Sequence, residues 1–166
     1  MKNSQLNRYW FGKNWKKFIS NISEEQIEIA KNSLIDLFGH NLKGKKFIDV
    51  GCGSGLFSLS AFLLGANVYS FDYDQDSVEC CRALKAKYFK NDGNWIINQG
   101  SILDEAFLDT LGRFDIVYSY GVLHHTGNLN KSLNLINKLV DKEGYLYITL
   151  YNNQGRASIF WEKLKK

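Results

Sequence analysis

Asp49-Val50-Gly51-Cys52-Gly53-Ser54-Gly55 sets a carboxylate two residues ahead of three glycines at alternate positions. The run is entered from Phe47-Ile48 and left through Leu56-Phe57, so a buried strand hands over to a helix at a turn nearly stripped of side chains. Glycine there permits a tight turn and close approach of a ligand, while the first amides of the next helix face an anionic group. A glycine turn also joins strand to helix in proteins that bind nothing, so spacing must separate the readings. Dinucleotide folds carry G-x-G-x-x-G, whereas here the third glycine falls one residue early. A carboxylate beside the turn favours a ligand with positive charge over one carrying a pyrophosphate.

S-adenosylmethionine, with an ammonium, a sulfonium and a single carboxylate, meets that description. A second acid, Asp72, closes the run Val68-Tyr69-Ser70-Phe71 and stands 21 residues after Gly51. Nucleoside-binding folds place there the carboxylate that accepts from ribose hydroxyls. Asp74 and Asp76 stand nearby, which leaves a helix cap as the competing role, and Asp76-x-x-Glu79 has the form of a capping box. Further on, Phe114-Asp115 opens an apolar run that ends in Tyr118-Ser119-Tyr120-Gly121 and continues as Val122-Leu123-His124-His125.

Taken in order, "FIDVGCGSG", "VYSFDYD", "NQGSILD" and "FDIVYSYGVLHHTGN" resemble the motifs of the class I S-adenosylmethionine-dependent methyltransferases of broad small-molecule type, over about residues 46–152. The resemblance implies a Rossmann-like three-layer fold with sheet order 3-2-1-4-5. It implies that Asp49, Gly51, Cys52, Gly53 and Gly55 surround the donor's amino-acid end, that Asp72 holds the ribose and that Tyr73 lies against the adenine. Ser119, at the end of the fourth strand, would line the crevice near the methionine part. Ser101 stands where the family often has an aspartate; its hydroxyl can still accept from the adenine amino group, and the Ile102 amide can donate to the ring. The chain has no proline. It therefore carries neither the [DNS]-P-P-[YFW] signature of amino-methylating nucleic-acid enzymes nor the Pro-Cys pair used on cytosine.

The implied activity is methyl transfer from S-adenosylmethionine to a small-molecule acceptor, leaving S-adenosylhomocysteine, with no metal. A module that binds the donor without turnover and an RNA or protein methyltransferase are the alternatives. Displacement at a sulfonium needs mainly positioning. A protonated nucleophile also needs a base, and the histidine pair after the fourth strand can supply it, with His125 favoured over His124. Packing under the next helix is an equally natural role for either ring. His40 follows Gly39 at a helix end and reads as a C-terminal charge partner. By the same resemblance Tyr9, Phe11 and Trp15, in "RYWFGKNWKKF", are candidates for a lid over the donor.

These residues need a scaffold that gathers strand ends. From Lys46 onward short apolar runs, "KFIDV", "NVYSFD", "NWIIN", "FDIVYS" and "GYLYITLY", alternate with amphipathic stretches near 56–64, 78–89, 104–111 and 129–140. Strand–helix alternation requires crossovers and so a parallel sheet covered on both faces. Ligands of such sheets sit beyond the carboxyl ends of the strands, where all the motifs fall. Ahead of the first strand, Ser23-x-x-Gln26 forms a capping box and Ile27, Ala30, Leu34 and Leu37 recur at helical spacing to a stop at Gly39. The expected division is a lid and helical segment over 1–43 and a donor-binding core over 44–166, within one domain.

The chain has 166 residues, 45% of them apolar, which suits a single hydrophobic core. Its net charge of +4 comes from scattered lysines, a solvated face rather than a nucleic-acid footprint. The three cysteines form neither a disulfide framework nor a metal-binding pair and read as small buried residues of a reducing compartment. With no apolar run of membrane length, a cytoplasmic protein is expected. Five strands in the order given leave "GYLYITLY" as an apolar edge, which predicts a longer protein or a partner subunit over it.

Overall fold

The computed structural model describes residues 22–89 and 93–151. The lid candidates Tyr9, Phe11 and Trp15 and the helix read in "QGRASIFWEKLKK" lie outside these residues. Five strands, β1 (Lys46–Val50), β2 (Asn67–Asp72), β3 (Trp95–Gln99), β4 (Phe114–Tyr120) and β5 (Val140–Thr149), form one sheet. Its order is β3-β2-β1-β4-β5 and every pairing is parallel, as the motifs required. The helices are α1 (Glu24–Phe38), α2 (Leu56–Leu63), α3 (Gln75–Tyr88), α4 (Glu105–Asp109) and α5 (Leu129–Lys138).

Alternation along the strands sends side chains to two cores. Phe47 of β1 joins Ile27 and Leu34 of α1, Leu59 of α2 and Val78 and Leu84 of α3 on one face. Ile48 and Val50 join Leu108 of α4 and Leu135 and Ile136 of α5 on the other. The result is helix, sheet, helix. Complete burial of a single side chain such as Leu34 stabilises by roughly 1.5–3 kcal/mol relative to its exposure. The capping box at Ser23 is present in both directions: the Gln26 amide donates to Ser23 Oγ at 3.2 Å and the Ser23 amide to Gln26 Oε1 at 3.0 Å.

Two local readings need correction. The third helix begins at Gln75, with Asp74 as its cap, so Asp76-x-x-Glu79 is not its capping box. The cause is short-range: the Asp74 side chain accepts from the Asp76 amide at 3.1 Å and from the Ser77 hydroxyl at 3.4 Å, closing the first turn earlier. The fifth strand begins at Val140 rather than Gly144. Arg113 donates to the Val140 carbonyl at 2.7 Å and the Phe114 amide to the Leu139 carbonyl at 2.8 Å, which starts the pairing early. The register then shifts, Phe114 facing Val140 but Ile116 facing Tyr145. Gly144 makes the irregularity feasible, since a Cβ there would lie 2.9 Å from the Phe114 carbonyl oxygen.

Candidate functional site

The carboxyl ends of β1, β2 and β4 lie side by side along one edge of the sheet. At its centre is the turn between β1 and α2, with Gly51 (φ 77°), Gly53 (φ 53°) and Gly55 (φ 83°) all in the left-handed region. Conformation alone therefore demands glycine. Space demands it as well: a Cβ on Gly51 would stand 2.5 Å from both γ-carbons of Val122, and one on Gly55 2.5 Å from Cys81 Sγ. The first of these contacts ties the glycine turn to the segment that carries the histidines.

The amides of the turn are largely committed to its own shape. Those of Gly51 and Cys52 both donate to the Phe71 carbonyl, at 2.8 and 3.1 Å, and that of Gly53 donates to Asp72 Oδ2 at 2.9 Å. Asp72 Oδ1 accepts from the Asp74 amide at 2.9 Å. Asp72 thus bridges the end of β2 and the glycine turn. Burial raises its carboxyl above the ordinary carboxylate range, against the pull of the Asp74 and Gly53 amides. The α2 amides after the Gly55 cap, which has no side chain to bond them, remain as the donors for an anion.

Asp49 is only 3% exposed, on the α2 side of β1. Its Oδ2 accepts from the Ser58 hydroxyl at 2.6 Å, the Ser70 hydroxyl donates to Ser58 Oγ at 2.8 Å, and the Trp95 indole donates to Ser70 Oγ at 2.9 Å. One polar thread thus runs from β3 through β2 and α2 to β1. Burial pushes the Asp49 carboxyl up to about 7, further helped by Asp72 and opposed by the hydroxyl and amide of Ser58. A buried acid with so few donors is a site for a cation. The Asp49 and Asp72 carboxylates, with the turn between them, fit the ammonium and ribose ends of S-adenosylmethionine.

The other residues singled out by sequence take varied places. Cys52 is buried, and its thiol is kept protonated by its hydrogen bond with Cys81, then by burial. Ser119 is fully buried and donates to the Val50 carbonyl at 3.0 Å, closing the seam between β4 and β1. Tyr73 is exposed at the end of β2, and its carbonyl accepts from the Gln99 side chain at 3.1 Å. Ser101 Oγ accepts from the Leu103 amide at 3.2 Å, while Ile102 is buried against Val50, Phe71 and Leu108. His125 is exposed, and His124 is partly buried. The two rings meet at a tilt of 51° with centroids 4.0 Å apart, and the Tyr151 ring lies 4.2 Å from that of His124 and 5.5 Å from that of His125.

Sequence reading missed Ser58, Ser70, Trp95, Val122 and Tyr151. Only Ser58 carried a signal, a polar residue on the apolar stretch of α2; Ser70 and Trp95 are brought in by strand register, and Val122 and Tyr151 by following β4 and β5, which pair side by side. Among the described residues no group of histidine, cysteine and carboxylate side chains could hold a metal ion, and no helix is long and apolar enough to cross a membrane.

Residues 41–166 match the family model of a methyltransferase domain. The chain is 24% identical over 165 residues to a ubiquinone biosynthesis O-methyltransferase of Pelagibacter ubique, covering 96% of this chain and 66% of that protein. It is 30% identical over 126 residues to a protein of the same name from Shewanella pealeana, covering 75% of this chain and 51% of the other. The solved magnesium protoporphyrin IX methyltransferase of Synechocystis with bound S-adenosylhomocysteine shares the fold, with a TM-score of 0.68 at 18% identity over 94% of this chain and 74% of that one. The chain spans about half to two thirds of the length of the curated relatives it matches.

Proposed function

Because the chain belongs to the class I S-adenosylmethionine-dependent methyltransferase family, we propose that it transfers the methyl group of S-adenosylmethionine to a small-molecule acceptor and releases S-adenosylhomocysteine. The observation that carries this is the pair of carboxylates, Asp49 at the end of β1 and Asp72 at the end of β2, on either side of a turn whose glycines cannot be replaced. A dinucleotide would also use Asp72 on its ribose, so Asp49 is the acid that discriminates, a pyrophosphate having no use for it. The names of the two bacterial relatives and the S-adenosylhomocysteine in the Synechocystis structure agree with this reading.

In the proposed arrangement the donor ammonium turns to Asp49 and its carboxylate to the first amides of α2. Gly51, Cys52, Gly53 and Gly55 leave room for that end, and Ser119 holds the floor. Asp72 trades its bond to the Gly53 amide for the ribose hydroxyls. Tyr73 covers one face of the adenine, and the edge of the ring meets the Ser101 hydroxyl and the Ile102 amide. When bound, the donor supplies an electrophilic methyl and a sulfonium that becomes a neutral leaving group. Everything else the chain does is orientation and, at the histidine pair, proton removal.

Three buried, free thiols suit a reducing, cytoplasmic setting. Calorimetry with S-adenosylmethionine, S-adenosylhomocysteine and NAD tests the site, and methyl release across acceptor pools tests the reaction. Saturable binding of the first two without NAD is expected. Binding of NAD alone would sink the reading, and donor binding with no methyl release from any pool would reduce the chain to a binding module.

A further inference from the structure

The sequence favours His125 as the base; the geometry points to its neighbour. We infer that His124 is the catalytic residue that takes the proton from the methyl acceptor, that the acceptor atom is a hydroxyl oxygen, and that Tyr151 is the cover that withdraws to admit it. This rests on the methyltransferase reading above.

Neither ring nitrogen of His124 has a hydrogen-bond partner among the described residues, and both are shielded from solvent. A neutral imidazole carries one donor and one acceptor, and leaving both unmet inside a protein is costly. Buried polar groups are nearly always satisfied, so one held empty calls for a use. Slack in the backbone does not account for it. The turn Leu123–His125 is fixed by Leu123, which is fully buried in the α4–α5 core, and by the His125 amide donating to the Val122 carbonyl at 2.8 Å. The Thr126 hydroxyl adds a bond to the Leu123 carbonyl at 2.8 Å. Val122, the residue before the turn, is the one that a Cβ on Gly51 would strike. The empty imidazole therefore follows, by two residues, the side chain that packs on the glycine turn, on a backbone held in place.

Its surroundings suit a base. Burial, then the neighbouring His125, hold the His124 imidazole below its ordinary value, so it is neutral and able to accept at neutral pH. The titratable groups that face it are His125 on its own turn and Tyr151 beyond the end of β5. Tyr151 is 72% exposed and, among the described residues, meets the histidine pair through ring contacts, so it can leave at small cost. An amine attacks as its free base and loses a proton afterwards, whereas a hydroxyl must shed its proton as it attacks. A neutral acceptor nitrogen in place beforehand serves the hydroxyl. In the step, the hydroxyl proton passes to a His124 nitrogen while an oxygen lone pair forms the new O–CH3 bond. The electron pair of the breaking S–CH3 bond stays on sulfur, giving a neutral thioether, and the imidazolium then returns its proton to water.

The test uses the full chain with 13C-labelled histidine and catechol, a small probe with two ionisable hydroxyls. Binding of S-adenosylhomocysteine by calorimetry checks the methyltransferase reading separately, and its absence would overturn that reading and this one with it. The chain has three histidines, so His40→Gln and His125→Gln assign the third ring by exclusion. In the S-adenosylhomocysteine complex, catechol is expected to shift the His124 resonance and leave that of His125 in place. With S-adenosylmethionine, His124→Gln should slow methylation of catechol at least about 100-fold. It should leave the donor KM within about twofold and, at saturating donor, abolish the fall in rate at low pH, while His40→Gln stays within about threefold of the native rate. The wild-type titration stands even if His124→Gln folds poorly. A shift or rate loss that falls on His125, or a His124 ring indifferent to catechol in a chain that binds S-adenosylhomocysteine, overturns the assignment.

Discussion

Asp49 shows what a binding residue costs an empty fold. Its carboxyl is raised from 3.8 to about 7 by burial, so the native state keeps a proton that the unfolded chain gives up. The contribution of this group to stability is therefore fully present below pH 4, declines between about 4 and 7 and is lost above, by about 4 kcal/mol in all. Asp49→Asn should raise the melting temperature at pH 8 and leave it nearly unchanged at pH 4, by scanning calorimetry. The same substitution should weaken S-adenosylmethionine binding at least tenfold, and native affinity should climb between pH 6 and 8 as the carboxylate ionises. Equal melting shifts at both pH values would show that Asp49 is not the group responsible. Asp72→Ala has a different signature, because the Gly53 amide loses its acceptor as well. It should lose donor affinity at least tenfold at every pH, measured by calorimetry.

At the scale of elements, the glycine turn and the histidine turn form one unit through Gly51 and Val122. Gly51→Ala would set a methyl 2.5 Å from the Val122 γ-carbons at φ 77°. We expect it to destabilise by about 1–3 kcal/mol in urea unfolding and to abolish donor binding. If Val122→Ala in the same chain restores stability but not binding, the steric and conformational contributions separate. This coupling also marks the limit of what sequence revealed. The placement of Asp49, the three glycines and Asp72 was readable because each stands within a few residues of a strand end, where local spacing carries the geometry. The start of α3 was misread because two nearby aspartates compete for one cap, and the distances that decide between them are invisible in the letters. The contact of Val122 with Gly51 and the link of Trp95 to Asp49 join residues far apart in the chain, and only sheet register brings them together.

Across the whole molecule the parallel sheet is asymmetric. Among the described residues β1 lies between two partners, while β5 pairs only with β4 and is broken by the irregularity at Gly144. Tyr145 is 63% exposed, and Leu146 and Leu150 are exposed beside it. Amide exchange followed by mass spectrometry should find β5 exchanging at least about 100-fold faster than β1. An edge of this kind invites pairing. Sedimentation should show self-association that grows with concentration and is suppressed by Leu146→Lys, with Tyr145→Lys acting the same way. A single sedimenting species at all concentrations would mean that the edge is not sticky in this chain.

The thread Trp95–Ser70–Ser58–Asp49 has an optical consequence. Indole emission responds to the strength of the bond its N–H donates, and this bond ends, two hydroxyls away, on the acid proposed to meet the donor's cation. With Trp10, Trp15 and Trp161 changed to phenylalanine, the emission of Trp95 should follow a protonation curve centred near pH 7 and move to its alkaline limit when S-adenosylmethionine is added, a built-in reporter of occupancy that requires no dye.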